Sequence, residues 1–386
     1  MRKWWVMLIV ATLCACGEDD TRSGSTTITV HSGESIQAAI DAAPANTTIF
    51  VEPGVYHESA TQETALTVSK NGIALIATIA KAVVLENAGG QMNGIWVSPT
   101  DSLHPSDGEH PPCGDNGNTL NGFTLQGFTV RGFAEYGVYL ACVDGFTLTQ
   151  NLADGNQVYG LFPVRSHNGT LSANEAQNTP LDSALYVGQS DHVVLTNNSA
   201  HDSVQGLEVE NSSEITVTGN DIFDNTAGII ADIMPGLQKK DQTGVVISGN
   251  TVHDNNRPNT NGPDTSTAST PQGTGIVILG GSMVTVQNNT VTNNGFTGIL
   301  VAGFCSGPSS SAQQCTNLDI DPNPEQARIV NNTLSGNGLG TSNPILARLA
   351  ADLFWDKSGQ GNCWGGNTPN ATVRLLGSGT TLPACP

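Results

Sequence analysis

A short motif, Leu, Val or Ile followed three positions later by Asn, recurs through the middle of this 386-residue chain. A second Asn follows five residues after the first in most copies, and a Gly or Ala then begins an alternating segment. Successive Gly or Ala markers lie 22–24 residues apart, with one interval of 47. A fixed period in the twenties indicates one structural unit stacked on its neighbours. The first Asn residues are Asn151, Asn174, Asn198, Asn220, Asn250, Asn289 and Asn332, the second are Asn156, Asn225, Asn255, Asn294 and Asn337, and the markers are Gly137, Gly160, Ala184, Gly206, Gly228, Gly275 and Gly298.

Within each repeat, apolar and polar residues alternate over short segments that Gly and Asn interrupt. Strict alternation predicts strands with one buried face, and no repeat carries the 3.6-residue period of a helix. Two or three short strands per repeat describe one turn of a parallel β-helix, with turns about 4.8 Å apart. Asn tolerates left-handed turns, and its amide can bond to the Asn above and below. A leucine-rich repeat has a similar period, but its leucine-rich consensus is absent here.

The ends of such a coil need covers, because a stack of strands exposes an apolar end and open strand edges. Residues 35–43 predict a short amphipathic helix that Ser35 can cap and Pro44 ends, and we expect it to cover the N-terminal end. The β-helix domain is predicted to span 27–345. Residues 346–386 are predicted to form a C-terminal turn or tail held by a disulfide.

Two regions rich in Pro, Gly and polar residues interrupt the repeat and read as insertions on one side of the coil. They are 101–118 and 234–273, the second containing loops at 234–243 and 256–273. Insertions into a solenoid leave from one face and often carry binding function, although a tolerated, functionless insertion explains them equally well.

The N-terminus has the features of an exported lipoprotein. Two basic residues precede an apolar run, which ends in Leu-Cys-Ala-Cys at Cys16. We predict a signal peptide over 1–15, lipidation of Cys16, and a flexible tether over 16–26. The expected location is the bacterial cell envelope, with the membrane contacted through the lipid anchor alone.

Six further cysteines remain in the exported chain, and an even number outside the cytoplasm favours disulfides over a metal site. Proximity in sequence favours pairing Cys113 with Cys142, Cys305 with Cys315, and Cys363 with Cys385. Sequence alone leaves other connectivities open.

Two segments resemble a known group of proteins. Gly33-Glu-Ser-Ile-Gln-Ala-Ala-Ile-Asp-Ala-Ala and Ile49-Phe-Val-Glu-Pro-Gly-Val-Tyr are similar to the N-terminal cap of the pectin-lyase-like, right-handed parallel β-helix proteins. Segments 182–190, 206–212 and 228–237 resemble exported bacterial β-helix lipoproteins without an established activity. The resemblance implies an all-β, right-handed, single-stranded parallel β-helix. It leaves the function open, since the wider group includes polysaccharide lyases, hydrolases, epimerases, adhesins and binding proteins. The chain lacks the Asp-Pro-His-Asp signature of mannuronan C5-epimerases and the paired-Asp segments of polygalacturonases.

The strand that begins at each Gly or Ala marker contains the candidate site. The first and third positions after the marker are apolar in nearly every copy and should point inward, so the second and fourth should point outward to solvent. The outward positions form an aromatic strip of Tyr139, Phe162 and Tyr186, which continues into the carboxylates Glu208, Glu210 and Asp232.

The spacing of these carboxylates suggests acid–base catalysis or metal binding. Glu208 and Glu210 should lie about 6.8 Å apart on one face, and Glu210 and Asp232 about 4.8 Å apart in neighbouring turns. Such carboxylates raise one another's proton affinity, which suits an acid–base pair or a Ca²⁺ site. Aromatic faces stack on sugar rings, and Arg165 and His167 could supply charge or a base. A solvated acidic face is the simpler alternative.

The net charge of −20 limits the partners. Such a surface repels nucleic acid, and it repels polyuronates unless Ca²⁺ bridges them. We therefore expect a neutral or Ca²⁺-bridged polysaccharide as the ligand. Two hypotheses remain: an enzyme that cleaves or remodels the polysaccharide, and a non-catalytic glycan-binding, protein-binding or structural surface protein. An enzyme requires the insertions 101–118 and 234–273 to rise as walls beside the carboxylates. The sequence does not indicate an oligomeric state.

Overall fold

A computed structural model describes residues 26–99, 113, 119–306, 315–341, 344, 346–377 and 381–386. Over these residues the chain winds through three parallel sheets, and each strand pairs with the equivalent strand of the next coil. Because the three sheets share one chain path, a complete coil contributes one strand to each sheet. The predicted all-β stack of parallel strands is confirmed.

The sheets are distinguished by their number of strands in the described chain. The twelve-stranded sheet contains Thr26–Val30, Thr47–Val51, Ile73–Ala77, Leu120–Gln126, Val143–Thr149, His167–Ser172, Asp191–Thr196, Thr216–Thr218, Val246–Ser248, Thr285–Gln287, Arg328–Val330 and Cys363–Gly365. The ten-stranded sheet contains Gly54–Tyr56, Val83–Glu86, Phe128–Arg131, Leu152–Asp154, Glu175–Gln177, Ser199–His201, Asp221–Phe223, Thr251–His253, Thr290–Thr292 and Thr333–Ser335. The eleven-stranded sheet contains Thr64–Val68, Asn93–Val97, Tyr136–Ala141, Tyr159–Val164, Ser183–Gly188, Gln205–Glu210, Ala227–Asp232, Thr274–Leu279, Thr297–Ala302, Ala351–Trp355 and Val373–Leu375.

The repeated Asn residues form a ladder at one corner of the coil. Asn151 Nδ2 donates to Asn174 Oδ1 at 3.0 Å, and the same bond repeats down the column to Asn332 and then to Asn367. Each Asn Nδ2 also donates to a backbone carbonyl of the preceding coil, as Asn220 does to Leu195 at 3.0 Å. All seven predicted Asn residues therefore share one column, which confirms the register derived from the sequence.

A second, shorter ladder occupies the next corner. It joins Asn225, Asn255, Asn294 and Asn337 through amide bonds of 3.0–3.1 Å. Ser203 replaces Asn one coil earlier and donates its backbone N–H to Asn225 Oδ1. These ladders satisfy buried polar groups where the chain turns, which explains why Asn recurs there.

The N-terminal helix spans Ile36–Ala42, one residue shorter at each end than predicted. Ser35 Oγ accepts a hydrogen bond from Ala38 N at 3.1 Å, the predicted N-cap. Ile36 and Ile40 are buried in the apolar core that runs through the coil. The helix therefore packs its apolar face on the first coil, as a cover requires.

Three disulfides form between the predicted partners, Cys113–Cys142, Cys305–Cys315 and Cys363–Cys385. Parallel strands continue beyond the predicted domain limit at 345, through Ala351–Trp355 to Val373–Leu375. No helix within the described ranges is long and apolar enough to cross a membrane. The predicted signal peptide, Cys16 and all of the tether except Thr26 lie outside the described residues.

Candidate functional site

The outer face of the eleven-stranded sheet holds the candidate residues in straight columns. Tyr186 pairs with Glu208, which pairs with Ile230 in the next coil. Glu210 pairs in the same way with Asp232. The intervening residues point into the core, where Leu207, Val209, Ile229 and Ala231 are fully buried. The alternation predicted from the sequence therefore assigns the correct face to every one of these side chains.

That face is covered, however, and the prediction of a solvent-facing strip is wrong. Tyr139 has no exposed surface, and Glu208 and Asp232 are each 6% exposed. Part of the insertion 256–273 lies over the carboxylates: Ser266 donates to Asp182 at 3.0 Å, and Gln205 donates to Thr270 at 3.4 Å. A wall thus stands where the enzyme hypothesis requires one. Of the other insertion, 101–118, only Cys113 lies in the described residues.

The aromatic strip forms a packed cluster. Tyr139 lies 4.1 Å from Trp96, and Phe162 lies 5.1 Å from Tyr139 and 4.8 Å from Tyr186, measured between ring centroids. Cys113 packs against the same cluster. Within the described chain, the cavity beside the carboxylates is not lined by Tyr139, Phe162 or Tyr186. Their rings are buried against one another and are not available for the predicted stacking on a sugar ring.

Arg165 and His167 are also separate from the carboxylates. Arg165 is 6% exposed at a left-handed corner with φ of 50°, and its Nη1 has no hydrogen-bond partner among the described residues. His167 Nδ1 lies 3.4 Å from Asp191 Oδ2, and both side chains are partly exposed. Neither residue lines the cavity, so the structure does not place them at the predicted substrate-binding positions.

The three predicted carboxylates do come together. One oxygen of each lies within 4.8 Å of the others. A fourth carboxylate, Asp182, joins them through Ser183, whose Oγ lies 2.6 Å from Glu208 Oε2 and 3.1 Å from Asp182 Oδ1. Asp182 precedes a strand in the preceding coil, outside the alternating positions, which is why the strand pattern did not identify it.

Two tyrosines hold individual carboxylates in place. The Tyr186 hydroxyl donates to Glu210 Oε2, and the Tyr159 hydroxyl donates to Asp182 Oδ2 at 3.2 Å. Gly188 makes room for the first contact, because a Cβ there would lie 2.3 Å from the Tyr186 hydroxyl. A small residue in an outward column thus lets a tyrosine reach a carboxylate in the next coil.

Burial is the main electrostatic influence on this cluster. It raises the pKa of Glu210 to about 7 and that of Asp182 to about 6, since a buried carboxylate loses hydration when it ionises. Burial, and then repulsion from Asp182, raises the pKa of Glu208 well above its usual range. Burial, and then repulsion from Glu210, does the same for Asp232. The cluster therefore retains protons at neutral pH.

A cavity of about 290 Å³ opens beside the carboxylates. At one end it is lined by Asp182, Glu208, Glu210 and Asp232 with Tyr159, and at the other mainly by aliphatic and aromatic residues, together with Asp356. Its described lining contains no Lys, Arg or His. Glu208, Glu210 and Asp232 offer carboxylate oxygens, the hard ligands that a Ca²⁺ ion prefers. Asp232 Oδ1 is buried without a hydrogen-bond partner in the described chain, and such an oxygen could bind the ion.

Comparison with known proteins identifies the architecture. Residues 136–317 match a family model described as a right handed beta helix region. The fold is a right-handed parallel β-helix. No curated protein sequence matches the chain.

Solved structures resemble this β-helix over most of its length. The A-module of a mannuronan C-5 epimerase from Azotobacter vinelandii has a TM-score of 0.57 and 16% identity, with 91% of this chain and 95% of the module covered. The Dettilon tailspike protein has a TM-score of 0.55 and 14% identity, over 91% of this chain and 60% of its own. The DFA-IIIase of Arthrobacter chlorophenolicus A6, solved without its lid in complex with GF2, has a TM-score of 0.51 and 12% identity, over 92% of this chain and 100% of its own. At these identities the similarity extends to the fold alone.

Sequence reasoning missed three groups that complete the site in this β-helix. Tyr159 and Asp182 lie where strands of the eleven-stranded sheet begin. Ser266 comes from the insertion between strands Thr251–His253 and Thr274–Leu279, and it reaches Asp182 three coils earlier. For Asp182 the available signal was its position just before the marker Ala184, within a segment already noted for its resemblance to other β-helix proteins. Ser266 carried no such signal, because only the folded insertion brings it to the sheet.

Proposed function

We propose that this β-helix binds a neutral polysaccharide in the cavity and cleaves a glycosidic bond by acid–base chemistry. The carboxylate cluster carries the proposal: buried acids with raised pKa values beside an open cavity supply both protonated and ionised groups near neutral pH. Structural carboxylates are normally ionised and paired with cations, whereas the described lining contains no basic side chain.

The environments of the carboxylates suggest separate roles. Glu208 and Asp232, with the pKa raised well above its usual range, are suited to donate a proton to a leaving oxygen. Glu210, whose pKa of about 7 reflects burial offset by the Tyr186 hydrogen bond, is suited to accept a proton from water. Asp182 orients Ser183 and Tyr159 and holds Ser266 of the covering insertion.

The charge of the cavity favours a neutral ligand. A uronate would bring its own carboxylate against Glu208, Glu210 and Asp232, and the described lining offers no cation to compensate. Cleavage of a neutral chain needs no such compensation. The similarity to a mannuronan C-5 epimerase module agrees with a carbohydrate-related function.

The test is release of new chain ends from a panel of neutral and acidic polysaccharides, followed by mass spectrometry. The variants Glu208→Gln, Glu210→Gln and Asp232→Asn should lower turnover of the responsive glycan at least about 100-fold. Asp264→Asn removes an exposed carboxylate of the insertion and serves as the matched control. Unchanged turnover in all three cluster variants would refute the catalytic proposal.

A second candidate is Ca²⁺-dependent glycan binding without catalysis. It is favoured by the three carboxylate oxygens within 4.8 Å and by the unpartnered Asp232 Oδ1. Calorimetric titration with CaCl₂ distinguishes the two. Saturable binding that Asp232→Asn abolishes, together with Ca²⁺-dependent glycan retention and no cleavage, would favour this candidate over hydrolysis.

We further propose that the protein acts at the bacterial envelope, held there by a lipid on Cys16. The run Leu13-Cys14-Ala15-Cys16 after an apolar segment supports this location. Three disulfides agree with folding in an oxidising compartment.

A further inference from the structure

The column that contains Glu208 becomes apolar in the direction of the C-terminus. Glu208 pairs with Ile230, and the column then continues through Val277 and Leu300 to Phe354. Each step advances one coil, so this apolar wall extends roughly 19 Å from the carboxylate. All four apolar residues line the same cavity as the acids.

Among the described strands of the coil that contains Val277, this sheet alone has apolar outward residues. In the same coil, the outward residues of the other two sheets are Thr285 and Gln287, and Thr290 and Thr292. The eleven-stranded sheet instead places Val277 and Leu279 outward. Outward positions of a solvated strand are normally polar, so the apolar wall requires an apolar neighbour.

The described side chains of the protein surround this wall without filling the space in front of it. Phe304, Leu346, Leu349 and Leu376 lie around the cavity as further lining, and about 290 Å³ remains open. That volume is close to the lower end of the range of about 300–1,000 Å³ for small-molecule sites. Open space between an apolar wall and an acid cluster suits a ligand with one polar and one apolar part.

We propose that the glycan bound by this site carries an apolar substituent, such as an acyl chain, next to the glycosidic bond that is cleaved. This inference rests on the proposed function and specifies its substrate class. The sugar lies against Asp182, Glu208, Glu210 and Asp232, and the substituent extends along the column toward Phe354. An unsubstituted glycan leaves the apolar wall in contact with water and binds more weakly.

The first experiment uses the neutral dye N-phenyl-1-naphthylamine, whose fluorescence rises in apolar surroundings. The intact protein should bind it saturably, and Leu300→Ser should weaken binding at least 10-fold. Leu300→Trp, which fills the space while keeping the wall apolar, should weaken it as well. Leu339→Ser is the matched control, since Leu339 is 85% exposed. Thermal unfolding of each variant verifies that it is folded.

The second experiment measures displacement of the dye by octyl glucoside and by methyl glucoside, both below the micelle concentration. Octyl glucoside should displace the dye at least 10-fold more effectively, and Leu300→Ser should abolish the difference. Equal displacement by the two glucosides, or unchanged dye binding in folded Leu300→Ser, overturns the inference. The inference is also overturned if the parent protein is a dimer and Leu300→Ser is a monomer that still binds the dye. The apolar wall would then be an interface between two copies of the protein.

The two proposals fail in different ways. Carboxylate-dependent turnover of a glycan without any preference for apolar substituents overturns this inference alone. Dye binding that depends on Leu300, together with turnover that Glu208→Gln, Glu210→Gln and Asp232→Asn all leave unchanged, overturns the proposed catalysis and supports an apolar ligand site.

Discussion

The Tyr186 hydroxyl donates a hydrogen bond to Glu210 in the following coil, and this contact lowers the proton affinity of the Glu210 carboxylate. Burial raises the pKa of Glu210, while the tyrosine opposes that effect by stabilising the charged carboxylate. The contact joins the packed aromatic cluster to the carboxylates. The aromatic residues therefore contribute to the site through Tyr186 and Tyr159 rather than as a platform for a sugar ring.

Replacing Tyr186 with Phe should raise the pKa of Glu210 further above about 7, because the donor that lowers it is lost. If Glu210 acts as the base, the acidic limb of the pH–turnover profile should move to higher pH. Turnover at high pH should be less affected than at neutral pH. A profile with the same limb as the parent would show that Glu210 does not act as the base.

Replacing Gly188 with Ala should also raise the pKa of Glu210, through its effect on Tyr186. The added Cβ would lie 2.3 Å from the Tyr186 hydroxyl and would displace it from Glu210. We expect the same shift of the acidic limb of the pH–turnover profile, with little disturbance of the stacking between coils of the β-helix. Gly262→Ala is the control, since a Cβ at Gly262 meets nothing within 4 Å. If the two alanine variants behave alike, the steric argument is wrong.

Stability should fall as the pH rises from about 4.5 to about 7, the window between the usual pKa of Glu210 and its raised value. In that window the folded protein binds more protons than the unfolded chain, so raising the pH favours unfolding. Glu210→Gln should be more stable than the parent above pH 7, by about 3 kcal/mol, with the difference shrinking near pH 4.5. Chemical denaturation across this range measures the effect, and Asp264→Asn, which retains Glu210, should keep the parent's fall in stability.

The Asn ladder should dominate the stability of the central coils. Asn220→Ala removes the acceptor of both Asn198 N and Asn198 Nδ2, each at 2.9 Å, inside the protein. Leaving these donors unpaired should cost about 3 kcal/mol or more in the free energy of unfolding. Asn121→Ala, at an exposed strand position, should cost much less. If Asn220→Ala unfolds as readily as the parent does, the ladder is dispensable for stability.

Replacing Cys16 with Ser should block lipidation. The expected result is either release of the protein into the soluble fraction or accumulation of unprocessed precursor. Fractionation and intact-mass measurement distinguish these outcomes from the parent. A Cys16→Ser protein that is processed normally and still sediments with membranes would exclude Cys16 as the anchor.

Much of the fold was determined by local chemistry in the sequence. The repeated Asn residues, the alternation after each Gly or Ala marker, and the Ser35 cap all act within one coil or between neighbouring coils. In a solenoid, contacts in space follow a fixed sequence period, so a pattern along the chain specifies the register between strands. For the same reason, the sequence placed Glu208, Glu210 and Asp232 together on the outer face.

What covers that face was decided by the tertiary structure alone. The insertion that contains Ser266 does not follow the repeat, and its path over Asp182 depends on long-range contacts that no periodicity encodes. Covering the face changed the chemistry of the carboxylates, because burial rather than mutual repulsion is the largest cause of their raised pKa values. The repeat pattern placed these residues on the outer face, whereas the path of the insertion made that face one wall of a partly covered cavity. The pKa values follow from the second of these, since desolvation depends on everything packed around a group.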